Sequence, residues 1–536
     1  MYRYAVARDP ALLAQVHALN HRTFAGEIPQ HAPRPDGRLV DRFHDENTYL
    51  VALDGDGPEA EVVGMMALRD RRPFSLDAKL PDLDAHLPPE HPVVEIRLLA
   101  VRPERRHGRA FHGLMAFALR WMLRRGHRLA IISGTTRQLR LYRHLGFRPF
   151  GPLVGTAEAP YQPMSATLAD ALRVLPDLPP HDGTDPDDPA ISLLPGPVAL
   201  SPAVHAAFCQ PLVSHRGAAF RTLHDRATCR LRALVNAPHV TLWSGTGTLA
   251  NDIVAAHLGA WGARGLVLSN GEFGERLVDH AARHRLDAEV LRVPWGEPFR
   301  LDDVAQRLRA AGAAWLWAVH GETSTGVLND LDGLRAVAQA HDARLCLDAV
   351  STVGAVPVDL DGVTMASGVS GKALGAPAGL AFVAHGDLPP AATPVARCFD
   401  LRLAHQAGGV PFTLSSALVA ALDAALAEAD DARQDRLQRQ GLRLRSHLRA
   451  AGMPLVAPDG ALLPTVQTVD LGDDAEAVGA RLDALGVRAS YRSGYLRQRG
   501  WLQLCTMGAQ TDAEIEAAAE ALHAAVASRC PEPALA

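Results

Sequence analysis

The sequence predicts an α/β protein of two unlike parts. An N-terminal α+β region of about 170 residues is followed by a large, mostly parallel sheet with helices on both faces, then by a small C-terminal α+β region. Three observations predict this. Strand and helix patterns alternate from 191 to 383, as a parallel sheet with crossover helices requires. Leu175 to Ala190, LPDLPPHDGTDPDDPA, is dense in Pro and Asp with almost nothing to bury, and reads as a linker. The length of 536 residues is too great for one core and suits about three structural units. The boundaries that follow are 1–172, a linker over 173–190, a large domain over 191–404 and a small domain over 405–536.

Composition excludes several classes. With 54 basic against 59 acidic residues and a net charge of -5, a broad electrostatic footprint for nucleic acid is ruled out. The 48% hydrophobic content is that of a globular chain. No run of 18 apolar residues occurs, so no membrane span is expected, and no apolar signal region follows Met1. Six cysteines lack metal-ligand spacing or a disulfide rhythm, which points to a reducing cytoplasm and no metal site. Only two of the basic residues are lysines, Lys79 and Lys372. Lysine chemistry therefore has two possible addresses.

In the first part, ENTYLVA and VVGMMALRD flank a Gly-Asp turn and predict a hairpin. VVEIRLLAV, Val93 to Val101, alternates as a strand and sets Glu95 and Arg97 on one face. Arg105-Arg106-His107-Gly108-Arg109-Ala110 then opens the amphipathic helix FHGLMAFALRWMLRRG. Free N–H groups at a helix start bind phosphate, and arginines add charge. A basic loop before an ordinary helix and a charge pair on an exposed strand face remain open as alternatives.

The pattern Arg-x-x-Gly-x-Ala after a strand resembles the acyl-CoA loop of the GNAT acyltransferase superfamily, and Tyr142-Arg143-His144-Leu145-Gly146-Phe147 resembles its Tyr-x-x-x-Gly-Phe segment. Arg22 and Phe24, Asp41-Arg42-Phe43-His44-Asp45, Arg69 and Glu95-Ile96-Arg97 resemble the acyl-homoserine-lactone and N-acyl amino acid synthases. That resemblance implies a donor on acyl-CoA or acyl carrier protein and an amine acceptor. It makes Glu95 a candidate base, Arg97 a substrate contact, and Arg105, Arg106, Gly108, Arg109, Ala110 and Tyr142 donor contacts. His44 stands where that branch tends to have a second Asp, and Arg22 lies closer to Phe24 than usual.

In the second part, polar residues gather at strand ends, where ligands of parallel sheets bind. Ser244-Gly245-Thr246-Gly247-Thr248 follows a strand and opens a helix; Leu347-Asp348-Ala349 puts an acid at another strand end; Ser367-Gly368-Val369-Ser370-Gly371-Lys372 carries one of the two lysines. A phosphate cradle, an acid and a lysine are the parts that pyridoxal 5'-phosphate (PLP) needs.

The ordered motifs LLPGPVALSPAV, SHRGAAF, SGTGTLAND, NGEFGER, HGETSTGVLND, LDAVSTVGAVPVDL and SGVSGKALGAPAGLAFV closely resemble class V aminotransferases of PLP fold type I, especially the alanine–glyoxylate and 2-aminoethylphosphonate–pyruvate branches. The resemblance implies that Lys372 is the Schiff-base lysine and that Asp348 pairs with the pyridine nitrogen. It implies phosphate contacts from Thr246, Gly247, Thr248 and Ser370, a ring stack from Phe273, a phenolic-oxygen contact from Ser324, and a homodimer. Where these branches carry a carboxylate-clamping arginine, this chain has Gln503; Arg492, Arg497 or Arg499 could take over, or one substrate lacks the carboxylate. A lyase or desulfurase is disfavoured, because none of the six cysteines falls in an evident active-site loop. The expected function is transamination between an amine and a carbonyl compound, coupled to N-acylation of an amine. The alternative is an N-terminal domain that only binds or senses an acyl donor or carrier protein.

Overall fold

Apolar residues fill both faces of TYLVALD and EVVGMMALR, and these strands, β2 (Thr48–Asp54) and β3 (Glu61–Arg69), pair as an antiparallel hairpin. They belong to the first of two compact units in a computed structural model of the chain. The structure describes residues 2–27, 31–55, 57–87, 92–106, 108–156, 160–175, 178–181, 183 and 188–528. Asp56 of the hairpin turn, His107 of the basic loop, Cys530, and residues 176, 177, 182 and 184–187 of the Pro/Asp-rich stretch lie outside the described residues. The first unit runs to Ile191 and also takes Ala477–Val487 and the chain from Ala513; the second is Ser192–Glu476 with Arg488–Asp512.

The first unit is an eight-stranded sheet. With β1 (Tyr2–Val6), β4 (Val93–Val101), β5 (Leu129–Thr135), β6 (Arg148–Pro149), β7 (Val154–Gly155) and β8 (Pro160–Thr167), the order is β1-β2-β3-β4-β5-β8-β6, and β7 also pairs with β8. Among the described residues only β4 and β5 run parallel, pairing from Val93–Glu95 against Leu129–Ile131. Beyond Glu95, Leu98 takes φ 50. There Leu98 and Leu99 together face Met66 of β3, a bulge that bends β4 away from β5. Helix α1 (Pro10–His21) starts on the Asp9 carboxylate, which accepts the Ala11 N–H. Helix α2 (Arg109–Arg124) buries Ala110, Leu114, Phe117 and Trp121, a stripe at i+3 and i+4 spacing. From the same helix, buried Arg120 donates to Asp188 Oδ2 at 2.8 Å and to the Ala484 carbonyl at 3.2 Å.

The second unit carries a seven-stranded sheet: β9 (His239–Gly245), β10 (Gly265–Ser269), β11 (Ala288–Arg292), β12 (Trp315–Val319), β13 (Arg344–Asp348), β14 (Val363–Val369) and β15 (Gly379–His385). The order is β9-β15-β14-β13-β12-β10-β11. From β11 through β14 each pair is parallel, and β15 runs antiparallel to both neighbours. Burial on both faces explains the continuous apolar runs. Leu242, Leu266, Leu316 and Leu347 pack on one side; Trp243, Val267, Trp315 and Trp317 pack on the other. Helix α3 (Ala218–Val235) precedes β9, and α4 (Gly247–Trp261) and α5 (Glu272–Arg283) each follow directly on a strand. Helices α6 (Ser416–Ala427) and α7 (Asp431–Ala450) lead to a two-stranded ribbon, β16 (Val466–Asp470) and β17 (Trp501–Cys505).

Candidate active sites

In the second unit, the carboxyl ends of β9, β13 and β14 converge. Gly247 opens α4 directly after β9, and a Cβ there would stand 3.0 Å from Val350 and 3.3 Å from Val369, so only glycine fits without displacing them. The preceding Thr246 is the N-cap residue, yet its side chain makes no capping bond. The first-turn N–H groups of α4 therefore keep their donors for an anion. Asp348, at the end of β13, is 5% exposed; Oδ2 accepts from Asn251 Nδ2 at 2.8 Å and Oδ1 from the Val350 N–H at 3.0 Å. Burial pushes its carboxyl up.

Lys372 follows β14. Its Nζ donates to Ser351 Oγ at 3.1 Å and lies 5.4 Å from the Phe273 ring centroid. Burial pushes this amine down, against the pull of Cys505, Asp348 and Glu322. A Cβ on Gly196 would meet the Gly371 carbonyl at 2.9 Å, so the LPGP arm presses against the lysine loop. The result is an amine partly shielded from water, a buried carboxylate and an open helix N-terminus at one end of the sheet.

The first unit holds a second candidate site, a cavity of about 620 Å³ in the wedge where β4 and β5 separate. Ile96, Arg97 and Leu98 line it from β4, and Ile132, Ser133 and Thr135 from β5. Arg97 donates to Asp41 at 2.7 Å, and both residues line the cavity. The Phe43 ring gathers the guanidinium carbons of Arg69, Arg42 and Arg97 at 4.0, 4.5 and 5.0 Å. Glu95 is fully buried behind the wall: Ser75, which does line the cavity, donates its N–H to Oε2 at 2.8 Å and its hydroxyl to Oε1.

A family model for N-acyl amino acid synthase FeeM matches residues 15–168, and one for class-V aminotransferases matches residues 204–395. The soluble hydrogenase 42 kDa subunit of Anabaena cylindrica is 32% identical over 303 residues, which are 53% of this chain and 79% of that protein. The chain belongs to the class-V aminotransferases. The L-aspartate–glyoxylate aminotransferase of Paracoccus denitrificans is 30% identical over 247 residues, 43% of this chain and 62% of that protein. The crystal structure of alanine–glyoxylate aminotransferase from Nostoc sp. superposes with a TM-score of 0.59 at 30% identity, over 63% of this chain and 95% of that one. With the synthase domain in front, the protein is a PLP-dependent transferase fused to an acyltransferase. The shielded amine, the buried acid and the uncapped helix start of the aminotransferase unit fit that cofactor's aldehyde, ring nitrogen and phosphate.

Several side chains singled out in the sequence are engaged with protein. In the aminotransferase unit, Ser324 Oγ donates to Glu322 Oε1 and accepts the Glu272 N–H at 3.0 Å. Ser370 Oγ donates to the Pro377 carbonyl at 2.6 Å, which fixes the lysine loop. Gln503 Nε2 donates to the Thr323 carbonyl and, at 3.0 Å, to Thr468 Oγ1. Arg497 pairs with Glu476 at 2.8 Å, and Arg499 lies 3.7 Å over Trp295. In the acyltransferase unit, Arg105 pairs with Asp54 at 2.9 Å and Arg106 with Glu27; Gly108 is the N-cap of α2, Arg109 is exposed and Ala110 buried. Of the predicted donor contacts, Tyr142 lines the cavity.

Sequence reasoning missed Asn251, Ser367, Glu322 and Ser351. Ser367 Oγ donates to Asn251 Oδ1 at 2.6 Å and so turns the Asn251 amide nitrogen toward Asp348. Buried Glu322 accepts the N–H groups of Phe273, Gly274 and Ser324, capping α5 from another element. All four stand inside the ordered motifs of the second part, and the polarity of Asn251 beside the apolar run IVAAHLGAW was one available signal. The cysteine that acts electrostatically on Lys372, Cys505, is buried on β17 with its thiol pushed up to about 12. That is an inert thiol rather than a mobile nucleophile.

Proposed function

We propose that the aminotransferase unit interconverts a small amine and a small carbonyl compound and that the N-terminal unit caps the amine with an acyl group from acyl-CoA or acyl carrier protein. The observation that carries this reading is the placement of Lys372 and Asp348 at adjoining strand ends beside the open start of α4, in a chain that also holds the β4–β5 cavity.

PLP bound there supplies an electron sink for negative charge at the carbon next to the transferred nitrogen. In this reading Thr246, Gly247 and Thr248 hold the phosphate, and Phe273 sets the ring plane. Asp348, oriented by Asn251, keeps a proton at the ring nitrogen. Lys372 anchors the cofactor and moves a proton at the substrate carbon, a task suited to an amine that burial holds below the usual lysine range. In the acyltransferase unit, the amine attacks the thioester carbonyl while its proton passes to Ser75 Oγ as the Ser75 hydroxyl proton passes to Glu95; the C–S bond then breaks and the leaving thiolate takes that proton back. A homodimer through the aminotransferase unit would cover the exposed apolar side chains of Phe208, Leu212, Val213 and Phe412.

The test supplies purified protein with PLP, a panel of ¹⁵N-labelled amino donors, carbonyl acceptors, and acyl groups on CoA and on acyl carrier protein. An N-acylated product carrying ¹⁵N, detected by mass spectrometry, is the expected result. Transamination with no acylation from either carrier would leave the first unit as a binding module. Absence of PLP-dependent nitrogen transfer would sink the proposal.

A further inference from the structure

Lys79 is one of two lysines in the chain and lines the β4–β5 cavity. Its Nζ donates to Ser133 Oγ at 2.8 Å and lies 4.0 Å from the centroid of the Tyr161 ring. Among the described residues no carboxylate stands within ion-pair distance of it. The neighbouring cavity cation, Arg97, is already matched by Asp41 at 2.7 Å and Glu95 at 3.6 Å. Half-buried ammonium groups without an acid are costly unless a ligand supplies the charge. Arg34 and Arg42 also line the cavity without a paired acid but are exposed; Lys79 is the half-buried cation among the described lining residues whose counter-charge the protein does not provide.

We propose that Lys79 is the specificity-determining anchor for the carboxylate of an α-amino acid acceptor. The inference rests on the acyltransferase reading and assigns the residue that meets the acceptor's carboxylate. Its position favours the acceptor over the donor. Lys79 is close enough to Glu95 for their charges to interact, and Glu95 is held by Ser75, the group in line to take the amine's proton. In an α-amino acid the carboxylate is two bonds from the nitrogen, so its anchor must stand near the proton acceptor. The phosphates of a pantetheine donor lie many bonds from the thioester and would not reach the same place. Tyr161 and Ser133 hold the ammonium in position, leaving its remaining donors for the ligand.

The experiment uses the full chain and two product-like probes that the aminotransferase unit cannot process, because their nitrogen is already an amide: N-decanoyl-L-phenylalanine and N-decanoyl-2-phenylethylamine. Calorimetry should show the carboxylate probe binding roughly ten- to hundredfold tighter, the range of a charged hydrogen bond. Lys79→Met should remove that preference with its circular dichroism unchanged, and Lys79→Arg should keep most of it. In turnover with L-phenylalanine against 2-phenylethylamine, the loss in Lys79→Met should fall on KM for the amino acid alone. Equal binding of the two probes by the wild type, or equal weakening of both in Lys79→Met, overturns the anchor. A retained preference in a protein that acylates no amine from either carrier supports the anchor while removing the catalytic reading.

Discussion

Asn251 holds Asp348 from the first turns of α4, with its Nδ2 at 2.8 Å from Asp348 Oδ2, and the Ser367 hydroxyl on its own oxygen dictates which way the amide faces. Two residues from two other elements thus align one buried carboxylate at the end of β13. Removing a partner from a buried charge costs about 1–3 kcal/mol.

From this chain, Asn251→Ala should lower kcat by about ten- to hundredfold while PLP content stays near one per protomer. Ser367→Ala should give a smaller loss of the same kind. Cofactor content by absorbance and steady-state transamination check both, and an unchanged kcat in Asn251→Ala would show that Asp348 needs no orienting partner.

Gln503 offers a donor to the Thr323 carbonyl and to Thr468 Oγ1 from a fully buried position. Gln503→Leu should cost about 1–3 kcal/mol, because buried acceptors lose their donor. Gln503→Glu should cost more at neutral pH, since a carboxylate would face carbonyl oxygen. Urea midpoints rank the two; a glutamate variant as stable as the wild type would mean the amide's bonds do not hold that loop.

Asp188 is 3% exposed and receives Arg120 at 2.8 Å and Arg124 at 2.6 Å. Asp188→Ala should destabilise the first unit by about 3–5 kcal/mol, because Arg120 stays buried with its charge uncompensated. Thermal melts of the full chain should show the transition of the first unit shifting down while PLP-linked absorbance of the second unit melts as before.

Burial pushes His257, His320 and His385 down to about 4. Each is neutral in the folded chain and takes up a proton at about 6.5 when unfolded, so the unfolded state binds more protons as pH falls. Their stabilising contribution is complete above about pH 6.5 and is lost on the way down to about pH 4, on the order of 3 kcal/mol each. Urea titrations should find a flat midpoint from pH 8 to 7 and a steep decline below 6.5. A midpoint constant down to pH 5 would show that these rings are hydrated in the folded state.

What was legible in the sequence was local. The hairpin at Thr48–Arg69, the strand carrying Glu95, the helix after Gly108 and the strand ends bearing Asp348 and Lys372 each announce themselves within about ten residues, through periodicity and turn chemistry. Strand direction does not. GLAFVAH reads as a buried strand, yet nothing in it says that β15 inserts antiparallel between β9 and β14. The Ala-rich stretch after Ala417 reads as one long helix, whereas Asp430 caps a new helix at Asp431 and breaks it in two. The partners of Asn251, Gln503 and Lys79 lie 97, 180 and 54 residues away, distances across which side-chain chemistry leaves no pattern.

The three-segment make-up of the first unit bears on synthesis and on engineering. A ribosome that has released Ile191 has supplied the sheet of the acyltransferase but not the Ala484 carbonyl that Arg120 uses. The whole second unit is translated before the last piece, from Ala513, emerges. A chain cut at the Pro/Asp-rich stretch would leave Arg120 of the first piece without the Ala484 carbonyl, which the second piece would carry.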